Sequence, residues 1–218
     1  MKKLNWNAAM NSNPKKMVSS GYDKIAETYL KWTTGSSLRQ YWLHEISSKL
    51  APSARILELG CGAGVPVAQY FQNKGFQVVG VDGSSRQIEL AQQNSPRSEF
   101  INGDMTTIDF SDASFDAVTA FYSIIHVPRT EHHKLLRRIL FWLKPGGLTL
   151  LCMGHDDLPD MEEEWLGTKM FFSHFDAKTN IKSIEETGFE IVRSEIVGEQ
   201  ENGKTVNFLW VFARRPNA

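Results

Sequence analysis

The run Glu58-Leu59-Gly60-Cys61-Gly62-Ala63-Gly64 joins a carboxylate to three alternate glycines, directly after the apolar pair Ile56-Leu57. Glycines at such a point let the backbone turn sharply and approach a ligand closely, because no Cβ intervenes. A helix starting just beyond them would aim its first N–H groups into the same space. Further along, Gln77-Val78-Val79-Gly80-Val81 ends in Asp82. An acid at the tip of a second strand is placed to accept hydrogen bonds from a ribose diol. Together these residues describe a nucleoside-cofactor site. A dinucleotide loop spaces its glycines G-x-G-x-x-G; here the spacing is G-x-G-x-G, and Val65-Pro66 fills the following turn. Glu58 would repel a diphosphate at this position, and it would attract a cation or an α-amino group.

The candidate proton-transfer groups are His126 and His174. His126, in Phe121-Tyr122-Ser123-Ile124-Ile125-His126, falls just past a predicted strand. That is the carboxyl end of the sheet, where ligands bind in open α/β folds, and an imidazole near neutrality suits general-base work. The same position equally suits a histidine that bonds loop backbone and shapes the pocket. His174, in Phe171-Phe172-Ser173-His174-Phe175-Asp176, is read either as facing an acceptor or as packing beside a helix N-cap. His132 and His133 are read as starting an exposed helix. His155 lies beside Asp156 and Asp157, but defined ligand geometry is lacking and no metal is expected. Tyr22 and Tyr29 are two helical turns apart on one face, placed for packing or for reaching the cofactor or acceptor. Tyr122, Trp165 and Phe172, with Trp32, Trp42 and Phe121, give an apolar, aromatic pocket reading.

These groups need elements to hold them. Tyr22, Ile25, Ala26, Tyr29 and Leu30 recur at helical spacing, as do Leu38, Trp42, Ile46 and Leu50. Residues 1–16 are polar and are expected to fray. From residue 55 strands and helices alternate: strands at about 55–59, 77–81, 99–101, 115–120 and 148–153, with helices at about 64–74, 85–94 and 135–143. Lys144-Pro145-Gly146-Gly147 is expected to break the helix before the fifth strand. Such alternation argues a mostly parallel sheet covered on both faces. The stretch 154–172, acidic then aromatic, is long enough to be functional. A helix ended by Gly188 follows, then strands at about 189–197 and 205–213 joined by a turn at 199–204, which makes the last strand antiparallel. The reading is one domain over 17–218, with a helical lid at 17–50 and an acceptor-side insertion at 154–175.

Twenty-four Lys and Arg nearly cancel 25 Asp and Glu, and the isoelectric point near 6.6 lacks the basic excess of duplex-binding domains. Nucleic acid is therefore not the expected partner. Cys61 and Cys152 have no metal spacing and form no disulfide framework. No run approaches the ~18 apolar residues of a membrane span, and no signal core follows Lys2-Lys3. A cytoplasmic enzyme, monomer or homodimer, is the expectation.

The pattern Glu58-Leu59-Gly60-Cys61-Gly62-Ala63-Gly64 resembles motif I of the class I S-adenosylmethionine-dependent methyltransferases. Gly80-Val81-Asp82-Gly83-Ser84 resembles their ribose motif and Gly103-Asp104-Met105 their adenine motif. Phe115-Asp116-Ala117-Val118 with Phe121 resembles motif IV, beside the methionine end. Leu143-Lys144-Pro145-Gly146-Gly147 resembles the turn before the fifth strand, and Tyr22-Asp23-Lys24-Ile25-Ala26-Glu27-Thr28-Tyr29 resembles the lid motif of the small-molecule, UbiE and methyltransferase-11/25-like kind. The resemblance implies a Rossmann-like seven-stranded sheet ordered 3-2-1-4-5-7-6 with strand 7 antiparallel. It implies S-adenosyl-L-methionine as cofactor, S-adenosyl-L-homocysteine as product and a small organic acceptor. The implied cofactor residues are Tyr22, Tyr29, Glu58, Gly60, Cys61, Gly62, Asp82, Gly83, Ser84, Asp104, Met105, Phe121 and His126; the acceptor would meet Tyr22, Tyr122, Trp165, Phe172 and His174. Gly83 departs from the bulky residue that often packs on the adenine, leaving that to Met105, Ile88 or the lid. A neutral amine or thiolate acceptor needs no base, whereas a phenol, alcohol or carbon acid calls on one. Other readings are a same-fold enzyme catalysing a cyclisation, a non-catalytic partner subunit of a methyltransferase, and, more distantly, a dehydrogenase.

Overall fold

Apolar runs buried on both faces are what a parallel central sheet demands, and Ile56, Leu57, Val79, Val118 and Leu150 are all buried. In the computed structural model, which describes residues 13–201 and 203–217, these runs become β1 (Arg55–Leu59), β2 (Gln77–Asp82), β3 (Glu99–Asn102), β4 (Phe115–Ala120) and β5 (Leu143–Gly154). A hairpin, β6 (Leu158–Trp165) and β7 (Thr168–His174), stands apart from them, and β8 (Glu190–Glu201) and β9 (Lys204–Arg214) close the chain. The main sheet is ordered β3-β2-β1-β4-β5-β9-β8. β9 runs antiparallel to both β5 and β8. With the hairpin set aside, this is the expected 3-2-1-4-5-7-6 order.

Helices α1 (Pro14–Thr33), α2 (Ser37–Ser47), α3 (Val67–Asn73), α4 (Ser85–Asn94), α5 (Arg129–Trp142) and α6 (Ala177–Thr187) cover the sheet. Leu135, Leu136, Ile139, Trp142 and Ile184 fill one face; Trp42, Ile46, Phe71 and Trp210 fill the other. The Trp42 and Trp210 rings stack at 5.2 Å.

Five local expectations are corrected. Residues 1–12 lie outside the described residues, but 14–16 are helical, because Asn13 caps the N–H groups of Lys15 and Lys16 and Pro14 opens the helix. α3 is shorter than expected, starting only after Pro66. Lys144-Pro145-Gly146-Gly147 is a bulge inside β5 rather than a break before it, since Leu143 already pairs with Phe115 and pairing resumes at Leu148. The segment after β5 is an antiparallel hairpin. His132 is buried, its Nε2 bonded to the Val127 carbonyl at 2.9 Å, because its turn of α5 faces the core.

Hairpin and α1 pack on each other. Gly21 lets the Met170 side chain in close: a Cβ there would lie 2.7 Å from its sulfur. The acidic strand β6 faces outward, whereas Met170, Phe171, Ser173 and His174 of β7 are buried.

Candidate active site

Three glycines take left-handed backbone at the end of β1: Gly60 (φ 74°), Gly62 (φ 51°) and Gly64 (φ 72°). The resulting loop borders a cavity of about 320 Å³, lined among others by Tyr22, Tyr29, Gly60, Gly62, Asp82, Gly83, Asp104, Met105, Phe121, Tyr122 and His126. The parallel strands bring these residues together from distant parts of the chain. Asp82 accepts from the backbone N–H of Gly62 and of Ser84, each at 2.8 Å. Burial pushes its carboxyl up to about 6 against those two donors.

Glu58 and Cys61 line a smaller side chamber that shares Tyr29, Gly60, Gly62 and Phe121 with the main cavity wall. Glu58 is 2% exposed and its Oε2 has no hydrogen-bond partner. Burial, with Asp82 nearby, holds its carboxyl well above the usual range. An arriving ammonium group would reverse that, since an adjacent opposite charge favours the ionised form.

His126 ends the turn Ile124–His126 beyond β4. Its Nδ1 lies 2.8 Å from the Phe171 carbonyl and its Nε2 lies 2.9 Å from the Tyr22 hydroxyl. A carbonyl only accepts, so Nδ1 carries the hydrogen and Nε2 accepts from Tyr22. Burial pushes the imidazole down to about 4, with the Phe171 bond opposing it. His126 is thus a neutral imidazole tied by one nitrogen to the hairpin and by the other to α1. Tyr22 and Tyr29 touch edge to face at 5.1 Å. Tyr122 has φ 56°, uncommon for a non-glycine residue and typical of constrained sites; its hydroxyl donates to Glu199.

Four expected site residues lie elsewhere. Ser84 is fully buried, its hydroxyl donating to Asp23 and capping α4 at Gln87. Trp165 packs on Tyr22, Tyr29 and Trp32 at 5.7–6.1 Å, and Phe172 packs on His126 at 4.7 Å; both stand behind the cavity wall. His174 turns away: its Nδ1–H donates to the Asp156 carbonyl at 2.7 Å. Its ring covers Gly154, where a Cβ would come within 2.1 Å of it, so its expected place beside the transfer space is corrected.

Several lining residues were not among the expected ones. Asn13 and Lys15 reach the cavity from the first turn of α1; Asn13-Pro14 is a helix-start signature that could have drawn attention to them. The Lys15 ammonium bonds Asp104 Oδ2 at 2.9 Å, Thr106 Oγ1 at 2.8 Å and Glu131 Oε2 at 2.9 Å. Burial works against the Asp104 charge, but Lys15 and the Thr106 donors outweigh it and hold the carboxyl low. Lys15→Met should cost about 1 kcal/mol of stability, as partly exposed pairs do, and should speed amide exchange in the first turns of α1. Unchanged exchange there would mean that Lys15 does not hold the helix.

Fold and loop together define the class I methyltransferase architecture. Residues 56–147 match the family model described as a methyltransferase domain. The demethylmenaquinone methyltransferase of Clavibacter sepedonicus is 34% identical over 142 residues, covering 62% of this chain and 57% of that protein. The sterol 24-C-methyltransferase ERG6B of Gibberella zeae is 27% identical over 186 residues, covering 78% of this chain and 47% of that protein. The chain spans about half the length of these curated relatives. Among solved structures, the 1,6-didemethyltoxoflavin-N1-methyltransferase of Burkholderia thailandensis, with bound 1,6-didemethyltoxoflavin and S-adenosylhomocysteine, superposes with a TM-score of 0.73 at 21% identity, covering 96% of this chain and 93% of that one. Over the matched residues the chain is similar to these methyltransferases.

Proposed function

We propose that the protein transfers a methyl group from S-adenosylmethionine to a small organic acceptor. The observation that carries this reading is the glycine cradle itself. Only glycine fits at position 60, Asp82 stands at the tip of β2, and the buried carboxyl of Glu58, with its Oε2 unbonded, lines the neighbouring chamber. That set suits a nucleoside carrying an α-amino group, and it does not suit a diphosphate. Asp82 would hold the ribose, Met105 and Asp104 the adenine edge, and Gly60 and Gly62 the sulfur side. When bound, the cofactor supplies an already activated sulfonium methyl.

The chain's own part is to orient the acceptor, exclude water and move one proton. α1 and the hairpin meet over His126 and close the site from above. An acceptor hydroxyl or carbon acid loses its proton to the Tyr22 oxygen as Tyr22 passes its own to His126 Nε2. An imidazolium formed at His126 would be offset by the positive charge that the bound donor gives up, so the buried site would keep its net charge. An amine or thiolate acceptor would use the same cavity without this relay.

Calorimetry with S-adenosylmethionine and with NAD tests the reading. The methyl donor should bind at micromolar concentration and NAD should not; tighter binding of NAD would overturn it. Asp82→Ala should weaken donor binding by roughly 1.5–3 kcal/mol, the range for hydrogen bonds to charged groups. Unchanged affinity in that variant would place the ribose elsewhere.

A further inference from the structure

The central sheet ends in two edges of different kinds. β3, at one edge, has 4 residues, and an edge that short is a poor template for another strand. β8, at the other, has 12 residues, and β9 is its one strand neighbour among the described residues. Its free side is a row of backbone N–H and C=O groups without a strand partner. No lysine or proline occurs in β8 to discourage pairing. Val192 and Ile196 stand on it 52% and 54% exposed, the two most exposed large apolar side chains among the described residues.

A bulge interrupts the ladder near one end. Ile191 and Arg193 pair with the consecutive residues Ala213 and Phe212, which leaves Val192 over. Bulges blunt edges, but this one limits the free stretch rather than removing it. From Arg193 to Glu201 the register with β9 is unbroken, and Val192, Ser194 and Ile196 are exposed in alternation with half-buried neighbours.

This stretch is complementary to itself. Along Ile191-Val192-Arg193-Ser194-Glu195-Ile196-Val197, an antiparallel copy centred on Ser194 sets Val192 opposite Ile196 and Arg193 opposite Glu195, each pair occurring on both sides of the two-fold axis. Moving the centre by one residue sets Arg193 or Glu195 against its own kind. Side chains directly opposite share a face of the sheet, and the burial agrees. Val192 and Ile196 are exposed on one face, while Arg193 and Glu195 lie half-buried beside α2 on the other. Arg193 already bonds Glu195 at 2.9 Å and lies 3.8 Å from Glu45 of α2. A facing copy would join two such groups of charges into one network.

We propose that β8 is the docking surface for a second copy of this chain, joining two sheets edge to edge in an antiparallel dimer centred on Ser194. Such a contact is isologous, so every pair is made twice. The bulge at Val192 bounds the paired stretch and symmetry bounds it again at Ile196, so the association is weak and reversible. None of these residues lines the main cavity, and the dimer stands or falls independently of the methyl-donor reading.

Sedimentation velocity of the full chain tests this. The wild-type protein should shift from monomer toward dimer as its concentration rises through the micromolar range. Arg193→Glu and Glu195→Arg should each weaken self-association by on the order of 10-fold or more, since each sets like charges directly opposite across both halves of the contact. Mixed together, the two variants should associate again, because the acids of one chain then meet the cations of the other while the ion pair within each chain stays lost. Ile196→Lys, on the opposite face and outside the ion pairs, should weaken association as well. Thermal melting by circular dichroism checks that each variant is folded, and where a charge variant is not, Ile196→Lys decides. A wild-type chain that stays monomeric, folded variants that associate as the wild type does, or a mixture of folded variants no more associated than its components would each overturn the proposal.

Discussion

Replacing His126 by Asn should lower turnover of a hydroxyl or carbon-acid acceptor by roughly 10²–10⁴-fold, the range for general-base catalysis. Donor affinity should hardly change, because the loss falls on the step in which the proton moves. Tyr22→Phe should act in the same direction, since it removes the hydroxyl that meets His126 Nε2 at 2.9 Å. The pH dependence carries a second signature. The buried imidazole stays neutral down to about 4, so turnover should show no inflection near the ordinary histidine value between pH 6 and 9. Because the unfolded imidazole takes its proton near 6.5 and the folded one only near 4, the fold should lose stability as pH falls through that interval. Near-normal turnover of His126→Asn with an oxygen or carbon acceptor would remove His126 from the proton path. Acceptors would then be sought among amines and thiols.

The second large effect is expected at Gly60. A Cβ there would lie 2.3 Å from the Ser123 Cβ and 2.9 Å from its hydroxyl oxygen. Ser123 cannot easily move aside, because it is buried and its hydroxyl donates to the Leu59 carbonyl at 2.7 Å. Gly60→Ala adds left-handed backbone strain to this overlap, and the two together should cost about 2–5 kcal/mol, with loss of donor binding. Gly62→Ala is the control. It bears similar backbone strain at φ 51°, but its nearest neighbours are 3.8 Å away, so about 1–2 kcal/mol is expected. Denaturant unfolding of the two variants decides the matter; equal, small losses would mean that the loop yields at Gly60 as readily as at Gly62.

Much of this protein is legible from the chain alone. Period-two and continuous apolar runs separated by glycine and proline punctuation declare the strands and their parallel sheet. The hairpin-like approach to the last strand makes that strand antiparallel. Glu58, Gly60, Gly62 and Asp82 mark out a candidate nucleoside site because their constraints are local: positive φ, lack of a Cβ, and a position at a strand tip are properties of a few consecutive residues. The bulge in β5 escaped the same reading because a helix end and a bulged strand share the residues Pro-Gly-Gly, and only pairing with β4 separates them.

What the tertiary structure alone decides concerns side chains whose meaning comes from distant partners. His126 and His174 look equivalent in sequence, each a histidine among apolar and aromatic residues near a loop. Folding brings Tyr22 and the Phe171 carbonyl to His126, 104 and 45 residues away, and turns His174 onto Gly154 and the Asp156 carbonyl. Arg39, which nothing in the sequence singles out, is buried over the Tyr122 ring once Trp42 of α2 stacks on Trp210 of β9. A helix shows only which of its faces is apolar; whether a charge on that helix meets water, a partner or an unfilled chamber depends on the long-range packing around it. Hydrophobic patterning acts along neighbouring residues, whereas hydrogen bonds and burial of charge act through space, and the site is built from the second kind.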